Sequence, residues 1–239
     1  FELHRKGGDA GRPDTQVVMQ ERVNLSPLVA TSTDEFELRG GETNVFRVKY
    51  MGIFDTVGAL GIPKSLGQPA SWFNRSRYAF HDMQLTSMVG SARHAIATDE
   101  RRKAYPPALW DNLDDAGQDG SAPLNERFPA NPARYEQHWF PGDHGSIGGG
   151  GDIGGLSAIS LRWIAEGAIA QDFEFDQAML GYRKTFEDPR APLVNFSSIP
   201  FLKQLTYLSK QDRPDARRSS NVSDAVVERM YFDQSYRPN

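Results

Sequence analysis

The chain has 239 residues, of which 38% are hydrophobic and 24% charged, as expected for a folded protein of one large domain or two small ones. Its formal net charge of -4 argues against general nucleic-acid binding, which needs a basic face. Without cysteine it has no disulfide or thiolate chemistry, and a metal would need His, Asp or Glu ligands. Neither a membrane span nor a signal-peptide core is visible in the sequence.

The first part of the chain is polar and interrupted by glycine pairs. Residues 1–43 are therefore interpreted as a loop-rich lead-in with at most one short helix. From residue 44 to 54, apolar and basic residues alternate and then give way to an apolar run, which predicts a strand entering a core. Asp55 follows that strand directly, so its carboxylate is expected at the strand's carboxyl end.

The middle of the chain predicts a helix, a loop and a second strand. Leu85, Val89, Ala92 and Ile96 recur at helical spacing within residues 74–97, which predicts an amphipathic helix. Residues 111–133 are interpreted as a long surface loop. Residues 134–140 form the second strand of the prediction, which ends at a Pro-Gly pair.

A single histidine, His144, follows this second strand and enters a glycine tract. Eight of the chain's 22 glycines fall between Gly142 and Gly155, and such clusters favour unusual dihedral angles or close backbone approach. A helix is predicted after the glycines, another within residues 173–182, and a last one from an N-cap at Ser223 to Met230. Strand, glycine turn and helix together make an α/β unit.

Asp55 and His144 both lie where a predicted strand ends. Functional groups collect at the carboxyl ends of strands in α/β sheets, so Asp55 is a candidate to orient the His144 imidazole and leave its other nitrogen free as a base. Two less specific interpretations stay open at this point: Asp55 as a turn-capping carboxylate, and His144 as a structural loop histidine.

Three segments in order carry a family resemblance. Residues 52–59, 94–110 and 139–150 resemble an α/β-hydrolase family long catalogued as a domain of unknown function, whose members include phospholipase effectors of bacterial type VI secretion. The resemblance covers most of the chain from about Asn44 and implies an α/β fold, with a mostly parallel sheet flanked by helices and long loops. It implies one catalytic domain over residues 1–239, without its N-terminal part.

The resemblance also implies chemistry, namely ester hydrolysis by a Ser-Asp-His triad with a phospholipid or other ester as substrate. Carried over by matching motif, Asp55 is the acid and His144 the base. Six further residues of the matched segments are possible site-shaping residues: Thr56, Asp99, Asp143, Ser146, Gly148 and Gly149. Ser146 departs from the family, which commonly has an aspartate at this position.

The nucleophile is the missing part of this triad. No serine of the sequence has glycine two residues before and two residues after it, so the nucleophile elbow is absent. Ser91 and Ser146 are the nearest substitutes, and neither follows a sharp strand-to-helix turn. The expectation is that an upstream segment or a separate chain supplies the serine.

Two rival functions remain. Gly149, Gly151 and Gly154 precede a predicted helix with the spacing of a dinucleotide fingerprint, although no convincing strand follows. A remnant of the fold that binds a partner or lipid without catalysis is the other alternative. No cofactor or metal is expected, and the location is the bacterial cytoplasm or, after delivery by a secretion system, outside the cell.

Overall fold

The computed structural model describes residues 15–25, 29–30, 33–41, 44–57, 84–103, 105–116, 122–127, 134–150, 153–194, 210–216 and 218–238. The chain divides into two compact units. The first comprises Phe1–Met51, Phe80–Ala92 and Leu109–Tyr135, and the second comprises Gly52–Ala79, Arg93–Ala108 and Glu136–Asn239. The expectation of a single domain over residues 1–239 stays a prediction.

The described elements are helices and short strands. The helices are α1 (Gln16–Leu25), α2 (Thr33–Leu38), α3 (Leu124–Arg127), α4 (His144–Gly148), α5 (Gly155–Ile169), α6 (Gln177–Lys184) and α7 (Asp224–Phe232). The strands are β1 (Val29–Ala30), β2 (Asn44–Val45), β3 (Met51–Phe54), β4 (Ala92–Ala97) and β5 (Tyr135–Phe140). A short 3-10 helix, Ser219–Asn221, precedes α7.

The described part of the first unit contains the three helices α1, α2 and α3, a two-stranded sheet and a small apolar core. Strands β1 and β2 pair in parallel, so the strand predicted over residues 44–54 is divided into β2 and β3. The 1–43 segment holds both α1 and α2, which is one helix more than expected. The core consists of Leu85, Val89, Ala92, Leu113, Leu124 and Tyr135, with Val48, Met51 and Trp110 packed against them.

Within this unit, residues 111–116 and 122–123 form neither helix nor strand, in agreement with the loop predicted over residues 111–133, but the prediction of a surface position is wrong. Leu113 and Leu124 are buried, and residues 124–127 are helical. The Asn112 side chain explains the anchoring, because its Oδ1 accepts from Leu85 N at 2.9 Å and its Nδ2 donates to Leu85 O at 3.0 Å. The Asn112 side chain thus forms both of the hydrogen bonds that a paired strand would form with the backbone of Leu85. This contact anchors the loop against the core.

The second unit contains most of a three-stranded sheet in the order β3-β4-β5. The strands are parallel: Asp55 N donates to Ala95 O, and Thr98 N donates to Phe140 O. The α/β class is thus confirmed, and the strand predicted before His144 is β5. The carboxyl ends of β3 and β5 are placed at the same sheet edge, because parallel strands end on the same side.

The helix predicted over residues 74–97 is wrong where the structure describes it. Residues 84–91 are not helical, and residues 92–97 are the central strand β4. Ala95, Ile96 and Ala97 are fully buried, as expected for a strand covered on both faces, which shows a continuous apolar run instead of alternation. The helical spacing of Ala92 and Ile96 comes from this two-sided burial.

The helices after the glycine tract agree with the sequence interpretation. Helix α5 starts at Gly155, and a Cβ there would lie 2.8 Å from Ala191 Cβ and 3.0 Å from Asp188 Cβ, so this glycine permits tight packing. Helix α6 overlaps the helix predicted within residues 173–182. Helix α7 follows Ser223, although the serine side chain makes no capping hydrogen bond.

Candidate active site

Asp55 is placed at the carboxyl end of β3 by an unusual backbone conformation. Its φ is 39°, in the left-handed region that non-glycine residues rarely adopt, and its side chain is fully buried. The carboxylate folds back toward the sheet, where Oδ1 accepts from Ala97 N at 3.0 Å. Such strain persists only where surrounding contacts hold it, and it is concentrated at functional sites.

His144 begins α4, three residues after the Pro141 that ends β5. Its Nδ1 lies 2.8 Å from Asp55 Oδ2. An ionised carboxylate can only accept, so Nδ1 carries the proton and Nε2 of the neutral ring is the free acceptor. Within the described part of the chain no hydrogen bond engages Nε2, and the side chain is 34% exposed. The Tyr105 ring lies beside the imidazole at a centroid distance of 5.1 Å.

The Asp55 carboxyl is held in its ionised form. Burial by itself raises its pKa, but hydrogen bonds from His144 and Arg213, with the Arg213 charge, outweigh burial and lower the pKa below the ordinary value of 3.8. The guanidinium of Arg213 contacts both carboxylate oxygens, through Nη1 to Oδ1 and through Nη2 to Oδ2 at 2.9 Å. Asp55 is therefore a buried anion with a buried cation beside it.

Arg213 is a residue that the sequence interpretation missed. It is 158 residues from Asp55 along the chain, and it stands in a short polar segment with no distinctive spacing. Its contact with Asp55 comes entirely from tertiary structure. The sole available signal was an arginine next to a proline, which is common in loops.

A second set of contacts fixes the turn before His144. Gly142 has a φ of 119°, and its N donates to Asp99 Oδ2 at 2.8 Å. The Tyr236 hydroxyl donates to the same oxygen at 2.8 Å. Burial raises the pKa of Asp99 despite these donors, and it raises the pKa of Tyr236 together with the nearby Asp99 charge. Asp99 thus supports the turn, and it makes no hydrogen bond to the imidazole.

The backbone of α4 is held by two further carboxylates. Asp143 is the N-cap of the helix, because its Oδ1 accepts from Ser146 N at 2.8 Å. Glu100 Oε2 accepts from His144 N at 3.2 Å. Arg102 bonds Glu100 through Nε and lies 3.8 Å from Asp143 Oδ2. These buried charges position the first turn of the helix that carries the imidazole.

A hydrogen bond between Thr56 and His94 also supports the turn at Asp55. Thr56 N donates to His94 Nε2 at 3.2 Å, and His94 Nδ1 lies 3.4 Å from Gln137 Oε1. Burial, more than any other cause, lowers the pKa of His94 to about 4, so the ring is neutral near pH 7. His94, which lies on the central strand β4, therefore accepts a hydrogen bond from the backbone N–H of Thr56, the residue after Asp55.

The other predicted site-shaping residues lie away from the pair. Gly148 and Gly149 are exposed at the end of α4, where Gly149 has a φ of 84° and terminates the helix. The side chain of Ser146 is buried and its Oγ donates to Leu193 O at 3.0 Å, while Ser91 Oγ donates to Arg134 O at 2.9 Å. Both hydroxyls are thus engaged with backbone carbonyls.

The glycines do not stand in the setting of a dinucleotide fingerprint. Strand β5 runs into α4, so a helix separates the strand from Gly149 and the glycines after it. After α5, the described residues up to 194 contain no strand. The fingerprint needs a strand entering the glycine turn and another strand after the helix. The glycines instead end α4 and allow α5 to pack closely.

Two comparisons with known proteins, one with curated proteins and one with solved structures, gave no match. In the part of the chain that the structure describes, no helix is long and apolar enough to cross a membrane. A family model described as "T6SS, Phospholipase effector Tle1-like, catalytic domain" matches residues 4–167. This segment includes Asp55 and His144 and leaves out Arg213 and Tyr236. Because the match spans more than half of the chain, the chain belongs to the family of Tle1-like phospholipase effectors of type VI secretion.

Proposed function

We propose that this chain supplies the acid and the base of a serine-type ester hydrolase that cleaves carboxylic ester bonds of phospholipids. The observation that carries the proposal is the 2.8 Å contact between His144 Nδ1 and Asp55 Oδ2, with Nε2 unengaged by the described residues. Asp55 is ionised and accepts, so the imidazole is held in the tautomer that a general base requires. The family match supports phospholipid as the substrate class.

In the proposed reaction a serine hydroxyl gives its proton to His144 Nε2 while its oxygen attacks the ester carbonyl carbon. Asp55 stabilises the imidazolium that forms. The tetrahedral intermediate then collapses, and the imidazolium returns the proton to the leaving alcohol. Water, deprotonated by the same nitrogen, then attacks the acyl-serine; the bond to the serine oxygen breaks, the imidazolium returns the proton to that oxygen, and the fatty acid is released. Each step uses the one free nitrogen of His144.

The serine belongs, on this proposal, to a segment or chain outside residues 1–239. The sequence has no nucleophile elbow, and the hydroxyls of Ser146 and Ser91 are hydrogen-bonded to backbone carbonyls. Delivery by a type VI secretion system is proposed as the route by which the protein reaches its substrate, on the family description alone.

A fluorophosphonate probe tests the proposal, because it labels a serine only where a base activates it. The polypeptide that contains residues 1–239 is incubated with the probe and with vesicles of bacterial phospholipids, and labelled peptides and released fatty acids are identified by mass spectrometry. Label on a serine outside residues 1–239, together with fatty-acid release, is the expected result. Label on Ser146 or Ser91 overturns the assignment of the nucleophile.

A histidine pair provides the matched control. His144→Ala is expected to abolish both labelling and fatty-acid release. His138→Ala removes a histidine of β5 that stacks on Trp163 at 4.8 Å, and it should retain both. Vesicle binding without hydrolysis or labelling in the unaltered protein would instead identify a non-catalytic, lipid-binding form of the fold.

A further inference from the structure

We infer that Arg213 is a positioning residue for the Asp55–His144 pair: its guanidinium fixes the orientation of the Asp55 carboxylate and holds a positive charge against both of its oxygens. The inference rests on the proposed function, since it assigns a role within that acid–base pair. Arg213 lies outside the residues that the family model matches.

Four hydrogen-bond donors surround the Asp55 carboxylate. Oδ1 of Asp55 accepts from Ala97 N and from Arg213 Nη1, and Oδ2 accepts from Arg213 Nη2 and His144 Nδ1. A carboxylate offers about four lone-pair directions, so these four donors use its capacity. With the other three in place, the fourth direction is the one that meets the imidazole. The carboxylate cannot rotate without breaking two contacts to the guanidinium.

The Arg213 guanidinium is itself anchored to the backbone. Beyond its two contacts with Asp55, Nε donates to Glu100 O at 3.1 Å, Nη1 to Ala97 O at 3.1 Å and Nη2 to Tyr105 O at 2.9 Å. An arginine has five N–H donors, and these contacts engage all five. Both side chains are buried, so the planar fork transmits the position of three backbone carbonyls to the carboxylate.

Arg213 also acts on the Asp55 carboxyl through its charge. Burial opposes ionisation of Asp55, and Arg213 supplies both hydrogen bonds and positive charge in the opposite direction. Without the guanidinium, burial would raise the pKa of the Asp55 carboxyl. The coupled pair would then take up its proton at a higher pH, and the base would be lost at a pH where the unaltered protein still works.

A purely structural ion pair is the competing explanation. Removing one partner of a buried pair destabilises a fold wherever the pair lies, so lower activity alone proves nothing. The pH dependence separates the two explanations. A structural role lowers the rate equally at all pH values, whereas a positioning role moves the acid limb of the pH–rate profile.

The test measures kcat/KM against pH for the unaltered protein, Arg213→Met and Arg213→Lys, with Arg162→Met as control. Arg162 is a partly exposed arginine of α5 that pairs with Glu166 and Glu187 and does not contact Asp55. In Arg213→Met the acid limb should move up by about 1 to 3 pH units, the range that a neighbouring opposite charge produces. In Arg162→Met it should stay in place.

The lysine variant covers the case in which Arg213→Met does not fold. Lysine retains the charge and loses the fork, so Arg213→Lys should keep the acid limb near its place while kcat falls at least tenfold. Full activity of Arg213→Lys overturns the inference, because the fork would then be unnecessary. An unmoved acid limb in folded Arg213→Met overturns it as well.

A second readout separates this inference from the proposed function. The imidazole ¹⁵N signals of His144 are followed by NMR during a pH titration of the unaltered protein and of Arg213→Met, with no substrate present. A higher titration midpoint in Arg213→Met supports the inference even if the protein hydrolyses no ester. An unchanged midpoint in a protein that does hydrolyse esters rejects Arg213 alone.

Discussion

His144 Nδ1 lies 2.8 Å from Asp55 Oδ2, although the two residues are 89 positions apart in the chain. Asp55 directly follows β3, and His144 follows the short turn after β5. Both strands belong to the same parallel sheet, and β4 lies between them. The sheet therefore brings the two residues together at one edge. The loops add orientation: the left-handed backbone at Asp55 and the helix that starts at His144 direct the two side chains toward each other.

Replacing Asp55 with asparagine tests the acid. Asp55→Asn keeps the size of the side chain and removes the charge that stabilises the imidazolium in the proposed mechanism, so kcat for ester hydrolysis should fall by roughly 10³- to 10⁴-fold. Asp176→Asn is the matched control, because Asp176 caps α6 by accepting from Ala178 N and asparagine caps helices equally well. A loss of less than tenfold in folded Asp55→Asn would contradict the assignment of the acid.

The elements that the sequence predicted well are those with local signals. Strand β5 ends at a Pro-Gly pair, α5 follows a glycine, Asp55 comes directly after the apolar strand β3, and His144 follows the short turn after β5. The central strand β4 was mistaken for a helix because a strand buried on both faces loses its alternating pattern. Arg213 was missed for a different reason. Its role depends on contacts with Asp55, Ala97, Glu100 and Tyr105, and no spacing within the sequence encodes them.

The lowered pKa of His94 predicts that the protein loses stability in weak acid. Its pKa is about 4 in the folded protein, against an ordinary value of 6.5, so between these values the unfolded chain binds a proton that the folded chain does not. The free energy of unfolding should therefore fall as the pH decreases from 6.5 to 4, by at most ~3 kcal/mol from this residue. Urea denaturation across that range measures the effect.

The contribution of His94 must be separated from that of His138, whose pKa burial also lowers. His94→Asn cannot titrate in this range, so its unfolding free energy should vary less with pH than that of the unaltered protein. Asp55 does not interfere, because its lowered pKa makes its contribution disappear below this range. Equal pH slopes for His94→Asn and the unaltered protein would refute the prediction.

We predict that position 142 does not accept a side chain. Its φ of 119° is unfavourable for any residue with a Cβ, and a Cβ would lie 2.9 Å from Leu156 Cδ1 and 3.1 Å from Ser146 Cβ. Gly142→Ala should therefore destabilise the protein by about 2 kcal/mol or more. It should also lower kcat, because the same turn precedes His144.

A second glycine serves as the control for that substitution. Gly181 lies in the interior of α6, and a Cβ there would meet no atom within 4 Å. Gly181→Ala should stabilise the protein by about 0.5–1 kcal/mol, since alanine favours a helix. Thermal unfolding of both variants gives the comparison. A Gly142→Ala protein as stable as the unaltered one would show that the turn can rearrange.

The contact of Tyr236 with Asp99 predicts that residues well beyond His144 in the sequence contribute to the geometry of the site. Its hydroxyl donates to Asp99 Oδ2, the oxygen that also accepts from Gly142 N two residues before His144. In Tyr236→Phe the half-buried carboxylate loses one donor, so the protein should be less stable by ~1.5–3 kcal/mol, the value of a hydrogen bond to a charged group. Tyr231→Phe removes a hydroxyl from an 80% exposed ring and should change stability by less than about 0.5 kcal/mol.

Because the imidazole follows the turn that Asp99 holds, Tyr236→Phe should also reduce kcat more than it raises KM. Equal stability and equal kcat in the two variants would mean that the Gly142 turn holds its shape without the terminal tyrosine.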